Sequence, residues 1–252
     1  MFLKDKVVFV TGAASGIGAA GAMAMAREGA DVTLTDINGD VVRAVAEQIV
    51  AEGGTARAVT LDVADADQLT AAIEECATRH GRLDVLHSHP GLQIEGTLEQ
   101  VSVDDMDASW RLNVRSHFVA AKAAMVRMKA ARRGSIIITA SGSGIQYDSE
   151  MIAYATTKHA AVAMTRQIAK DFGKYNVRVN ALCPGFIDTP FNRGFEIQMG
   201  GRDKLEDYIK SEIPMGRFGT VGEMADAIVY LASDRSTFMT GHALVIDGGE
   251  SL

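Results

Sequence analysis

Three side chains have the types and spacing to move a proton. Tyr154 and Lys158 are four residues apart, so on a helix they share a face about one turn apart. A tyrosine hydroxyl ordinarily ionises near pH ~10, too high for a base at neutrality. A lysine cation beside it stabilises the tyrosinate and lowers that value. Ser141, in "SGSG", precedes Tyr154 and directly follows an apolar run. A surface helix also carries Tyr-x-x-x-Lys pairs, and a serine between glycines also makes a turn. Position is what distinguishes these three, because all follow the same apolar run.

A second constellation lies near the N-terminus. The stretch "TGAASGIG", residues 11–18, follows Val7 to Val10, and no charge appears from Val7 through Ala26. A strand, a tight glycine turn and the start of a helix would aim free N–H groups and a positive dipole end at an anion. A secretory signal fits poorly, since Thr11 and Gly12 interrupt the apolar run and Asp5 the basic start. A membrane span wants about 20 apolar residues, and glycine, alanine and serine fill this window instead.

Gly12, Gly16 and Gly18, with Ser15 and Ile17 between them, give G-x-x-x-G-x-G. That spacing allows a tight turn, close approach of backbone to a pyrophosphate, and close packing of helix on strand. Asp36 ends the next apolar run, near the expected distance of about 20 residues for an acid that binds a ribose 2′-hydroxyl. Its other possible role, a helix cap, could fall to Asn38 or Asp40. A carboxylate there repels a 2′-phosphate, and Ile37, Ala14 and Ser15 supply no positive charge. NAD is therefore expected over NADP. Asp62 and Val63 follow the third run; they could meet an adenine edge or cap a helix, and both readings stand.

These groups need elements to hold them. Val7 to Val10, Val32 to Thr35, Arg57 to Leu61, Leu83 to Leu86, Ser135 to Thr139, Val177 to Leu182 and Ala243 to Ile246 have strand length. Helical spacing, such as Val41, Val45, Ile49 and Leu69, Ile73, Cys76, separates them. Seven strands alternating with helices predict an α/β fold, a Rossmann-like, doubly wound parallel sheet with helices on both faces. Ligands of such sheets bind beyond the carboxyl ends of the strands, near the point where strand order reverses. With no linker, repeat or composition break, residues 1–252 read as one domain.

The formal net charge of −7 argues against a nucleic-acid surface. The densest basic run, Arg127, Lys129, Arg132 and Arg133, is expected to finish and solvate a helix before Gly134. Cys76 and Cys183 make no disulfide framework, and a cytoplasmic, membrane-free protein is expected.

"TGAASGIG", "LDV" at 61–63, Asn113, Ser141, "YATTK" at 154–158 and "NALCPGFIDTP" at 180–190 together resemble the short-chain dehydrogenase/reductase family. The likeness runs from Lys4 to Gly249. It implies that Ser141 polarises a substrate oxygen and Tyr154 does acid/base work. Lys158 would hold the nicotinamide ribose and tune the tyrosine, and Asn113 a water linking the lysine to solvent. Pro184 and Gly185 would border the nicotinamide, with Ile187 and Thr189 on its carboxamide. The segment from Pro190 to Ile213 would be a mobile substrate loop. Helix pairing through Asp104 to Lys129 and Met151 to Phe172 would make homodimers, and the region from Ala243 to Gly249 homotetramers.

One corner departs from the family pattern. Asn-Asn-Ala-Gly is usual after the fourth strand; here Ser88 to Gly91 read "SHPG". Ser88 and Gly91 remain candidates to border the adenosine ribose, but Pro90 has no N–H. His87 and His89, two apart, would face the same side. Without a third ligand nearby, they are expected to pack near the cofactor and hold no metal. The reading is an NAD-dependent oxidoreductase interconverting a secondary alcohol and a ketone. Its rivals are a 3-oxoacyl-thioester reductase, which would want basic residues at the entrance, and a catalytically silent dinucleotide-binding regulator. Gln93, Gly142, Ser143, Gln146, Tyr147, Phe186 and Phe191 are candidates for the substrate pocket.

Overall fold

The apolar runs become strands because each is short, rich in β-branched residues and closed by a turn. The computed structural model describes residues 1–252. Its first half reads β1 (Val7–Thr11), α1 (Gly16–Arg27), β2 (Asp31–Asp36), α2 (Gly39–Ala51), β3 (Thr55–Thr60), α3 (Ala66–His80) and β4 (Val85–Ser88). The second half continues with α4 (Val103–Trp110), α5 (Ser116–Ala131), β5 (Gly134–Thr139), α6 (Ile152–Phe172) and β6 (Val177–Pro184). Helices α7 (Arg193–Gln198), α8 (Arg202–Glu212) and α9 (Val221–Ala232) precede β7 (Ala243–Ile246).

All seven strands run parallel in the order β3-β2-β1-β4-β5-β6-β7. Strand order reverses between β1 and β4, which opens a crevice at their carboxyl ends. Side chains alternate across the sheet. Val7, Phe9, Leu86, Ile136 and Ile138 join one core with α3, α5 and α6. Val8, Val10, Val85, Ile137 and Leu182 join the other with α1, α2 and α9. Helices thus cover both faces.

Three expectations shift. β4 begins two residues later than Leu83, because Asp84 is used as a cap: its carboxylate accepts the Val7 N–H at 2.9 Å and its own N–H reaches the Val7 carbonyl. His87 and Ser88 therefore lie within the strand and His89 just beyond it. The stretch after α4 is no uniform helix, since a π turn over Arg111–Arg115 separates α4 from α5 and buries Asn113. Residues 190–213 are helical rather than a loop. Leu205, Ile209 and Ile213, at i, i+4 and i+8, form a small core of their own. No helix is long and apolar enough to cross a membrane.

Candidate active site

The turn after β1 is built for close approach. Gly12 and Gly16 take φ of +66° and +54°, where glycine carries no steric penalty. A Cβ on Gly12 would stand 2.6 Å from the His89 carbonyl oxygen, and one on Gly18 would strike the Gly12 carbonyl. Ser15 is the N-cap of α1 and makes no side-chain cap bond, so N–H groups of the first turn stay available to an anion. The Asp36 carboxylate is fixed by the N–H groups of Ala14 at 3.2 Å and Asn38 at 3.0 Å. Asn38, not Asp36, caps α2. Asp65, not Asp62, caps α3. Asp36 and Asp62 both line the cavity, and the Asp62 carboxylate accepts the Ala64 N–H at 2.9 Å.

The proton-moving groups meet at the other end of that cavity. Ser141 follows β5, and Tyr154 and Lys158 project from the first turns of α6. Ser141 and Tyr154 line the cavity together, and the Ser141 oxygen accepts the Ser143 N–H at 3.2 Å. The Lys158 ammonium lies 5.5 Å from the centre of the Tyr154 ring and donates to the Thr139 carbonyl at 3.1 Å. Burial pushes the Tyr154 hydroxyl up to about 12, against the opposing effect of Ser141. Burial also brings Lys158 down to about 8. The expected tyrosine, below its ordinary value, is absent from this state of the chain. Both groups are buried where a charge is poorly solvated, which is the largest cause of each shift.

A cavity of about 840 Å³ joins the two ends. Gly12, Ser15, Gly16, Ile17, Asp36, Ile37, Asp62, Val63 and Gly91 line its nucleotide side. Ser141, Tyr154, Lys158, Pro184, Gly185, Ile187 and Thr189 line the reactive side. Three expected residues stay outside. Gly18 packs behind the turn. Ser88 is buried, with its hydroxyl 2.7 Å from His117 Nδ1. Asn113 accepts the Leu92 N–H at 2.7 Å and donates to the Leu92 carbonyl at 2.8 Å and the Thr157 hydroxyl at 3.0 Å. Its side chain ties the segment after β4 to the catalytic helix.

Of the pocket candidates, Gln93 turns away to Glu95. Gly142, Ser143, Gln146, Tyr147, Phe186 and Phe191 do line the cavity. Sequence reasoning missed Asp148, beside Tyr147, and Glu250, which only the fold brings next to Gly185. Burial pushes Glu250 up to about 7, helped by Asp148 and Asp247 and opposed by a bond from Gln146. The charged lining is lopsided: Asp36, Asp62, Asp148 and Glu250 against Lys158 alone. His87 and His89 do share a side, but the Thr139 hydroxyl lies between their facing nitrogens, at 3.0 and 2.9 Å. No group of three or more His, Cys, Asp or Glu side chains is placed to hold a metal ion.

A family model described as enoyl-(acyl carrier protein) reductase matches residues 12–251. The trans-4-hydroxycyclohexanecarboxylate dehydrogenase of Sinomonas cyclohexanicum is 39% identical over 99% of this chain and 94% of its own length. The chain belongs to the short-chain dehydrogenase/reductase family. Like other short-chain dehydrogenases/reductases it is an oxidoreductase acting on alcohols and ketones, with a dinucleotide-binding Rossmann fold. The 3-oxoacyl-[acyl-carrier-protein] reductase of Thermotoga maritima is 35% identical over 99% of both chains. D-threitol dehydrogenase of Mycolicibacterium smegmatis is 36% identical over 99% of this chain and 94% of its own. Among solved structures, a protein from Beutenbergia cavernae described as an NAD(P)-dependent gluconate 5-dehydrogenase by assignment only, with NADP bound at low occupancy, superposes with a TM-score of 0.93. It shares 34% identity and covers 98% of this chain and 97% of its own.

Proposed function

We propose that this chain, acting as one domain, interconverts a secondary alcohol and a ketone with NAD, and that its substrate carries no negative charge. The carrying observation is one cavity with Ser141, Tyr154 and Lys158 at one end and the glycine turn with Asp36 at the other. The cradle suits a dinucleotide, because side chains at Gly12 and Gly18 would fill it and the α1 N–H groups are free. Gly12, Ser15, Gly16 and Ile17 would hold its diphosphate, Asp36 and Asp62 its adenosine, and Lys158, Pro184, Gly185, Ile187 and Thr189 its nicotinamide half. When bound, it supplies the hydride acceptor for oxidation, or the hydride donor for reduction.

The chain's own residues handle the proton. Ser141 donates to the substrate oxygen and holds it beside Tyr154. In oxidation the Tyr154 oxygen takes the hydroxyl proton; in reduction it returns one to the new alkoxide. Lys158 sets the charge around this exchange and binds ribose hydroxyls.

Asp36 supports NAD, because a 2′-phosphate would meet its fixed carboxylate with no cation among the lining residues but Lys158. NAD is expected to bind at least about tenfold tighter than NADP, a difference of about 1.4 kcal/mol, and Asp36→Ala to narrow the gap. Equal affinities would sink the assignment. Reduction of a 3-oxoacyl thioester is the second reading, favoured by the Thermotoga relative. The lining opposes it, offering no arginine and no lysine besides Lys158 for an acidic carrier. Mixing the protein with NAD and a panel of diols, amino alcohols and hydroxy acids, and following absorbance of the reduced cofactor, tests the whole proposal. Turnover of acidic substrates alone would overturn the substrate class, and no turnover at all would leave a dinucleotide-binding regulator.

We further propose a homodimer or homotetramer in a reducing cytoplasm. Trp110, Phe118 and Val126 expose apolar surface along α4 and α5, which supports pairing through those helices. Cys76 and Cys183 are buried free thiols. A monomeric mass by light scattering at micromolar concentration would contradict the assembly.

A further inference from the structure

The corner that departs from the family pattern carries a hydrogen-bond chain. The Thr139 hydroxyl has one hydrogen and two ring nitrogens facing it, His87 Nε2 at 3.0 Å and His89 Nδ1 at 2.9 Å. His87 Nδ1 is sealed from solvent and has no partner. If His87 carried its proton there, a buried N–H would be orphaned, the rarer and costlier defect. His87 therefore donates from Nε2 to Thr139. If His89 also donated, the threonine hydrogen would have no acceptor. The arrangement that leaves no sealed hydrogen unpaired runs His87 Nε2–H to Thr139 Oγ1, then Thr139 O–H to His89 Nδ1. A neutral imidazole that accepts at Nδ1 carries its proton on Nε2.

His89 Nε2 has no protein partner and is not among the sealed polar atoms. The ring lines the cavity, and its Cδ2, the neighbour of Nε2, is 2.9 Å from where a Cβ on Gly18 would stand. Lys158 Nζ is 3.7 Å from where a Cβ on Gly91 would stand, two residues further on. The ring thus sits between the glycine turn and the lysine that flank the middle of the cradle. Burial, with His87, Lys158 and His117 around it, holds His89 neutral well below its ordinary value. Its N–H is a directional donor without a charge.

We propose that His89 Nε2–H donates a hydrogen bond to a diphosphate oxygen in the midsection of the bound dinucleotide. The proposal rests on the dinucleotide reading above. Thr139 and His87 act through His89, as positioning residues that fix its tautomer.

The test compares NADH by fluorescence titration with ADP-ribose and adenosine by calorimetry. For His89→Leu, and more weakly for Thr139→Val, NADH and ADP-ribose should bind about tenfold more loosely, the scale of one lost hydrogen bond to a charged acceptor. Adenosine, which lacks the diphosphate, should bind the variants and the wild type equally. An equal loss for all three ligands, or no loss for any, would overturn the assignment. Imidazole ¹⁵N spectra of the wild type supply a reading independent of variant folding. They should show His89 protonated at Nε2, with that N–H shifting on addition of ADP-ribose; protonation at Nδ1 would overturn the proposal. A wild type that binds none of the three ligands would overturn the dinucleotide reading itself, and this inference with it.

Discussion

The two ends of the sheet treat buried polar groups in opposite ways. At the amino end, burial works to raise the Asp84 carboxyl, yet Arg82, the Val7 N–H and Arg133 outweigh it and hold the group below its usual range. Arg178, half-buried there, donates to the carbonyls of Leu231 and Ser233 and to the Ser236 hydroxyl. At the carboxyl end, Tyr154 and Lys158 are buried without an opposite charge in contact, and both resist ionising. The four sealed polar side-chain atoms that lack partners, in His87, Gln93, Ser109 and His117, all lie in β4, just after it, or in α4 and α5. One end satisfies its polar groups for stability; the other leaves them perturbed beside a cavity, as a reactive site requires.

Removing a group from the reactive end should break activity and spare the fold. Tyr154→Phe keeps the ring and removes the oxygen that exchanges the proton. Turnover on a true substrate should drop by roughly 10²–10⁴-fold, with the melting temperature little changed. In the wild type, oxidation should speed up as pH rises into the alkaline range, because the ionised tyrosine is the base. Reduction, which uses the protonated form, should slow. Near-normal turnover in Tyr154→Phe would remove the proton role altogether.

Lys158 sharpens the contrast through stability. Its folded value of about 8 lies below its ordinary 10.5, so between those pH values the unfolded chain holds a proton that the folded chain has released. Stability should therefore rise with pH across that window, and be lowest below it, where the buried ammonium weighs by about 3 kcal/mol. Lys158→Met should flatten the slope in chemical denaturation and raise stability at pH 7 while abolishing activity. A slope unchanged in the variant would show that some other group causes it.

Asp84→Ala is the converse experiment. It strips the Val7 N–H of its acceptor, while half-exposed Arg82 and Arg133 can turn to water. The loss should be about 2 kcal/mol of unfolding free energy, with NAD affinity and turnover per folded molecule unchanged. A variant that stays stable but loses cofactor would erase the distinction between the two ends.

Local pattern made the frame legible. The seven apolar runs, the glycine turn and the Tyr154–Lys158 pair each depend on residues close in sequence, and each was placed within a few positions. The capping role open to Asp36 and Asp62 falls away once Asn38 and Asp65 are seen capping α2 and α3. Residues 190–213 read as a loop because charge and glycine masked the spacing of Leu205, Ile209 and Ile213. The raised Tyr154 hydroxyl comes from burial, which no local side-chain pattern announces. Glu250 lay beyond reach, since only the return of the chain after β7 sets it beside Gly185 and Asp148.

Glu250 supports the smallest test, and the one that bears on substrate. Held up to about 7 by burial and by Asp148 and Asp247, it is neutral below that pH and anionic above it. The groups around it are those two carboxylates, Gln146 and Tyr208; none of them is a cation. An acidic substrate should therefore lose affinity as pH rises through 7, with KM growing by about fivefold for a charge held at moderate distance in a partly solvated site. The matching amide, which carries no charge, should show a flat KM over the same range. Glu250→Gln removes the titrating charge while keeping the shape, so the acid's KM should become flat as well. A hydroxy acid whose KM ignores pH in the wild type would mean that Glu250 does not face the substrate, and the reactive end would then select by shape, through Phe186, Phe191 and Phe195, rather than by charge.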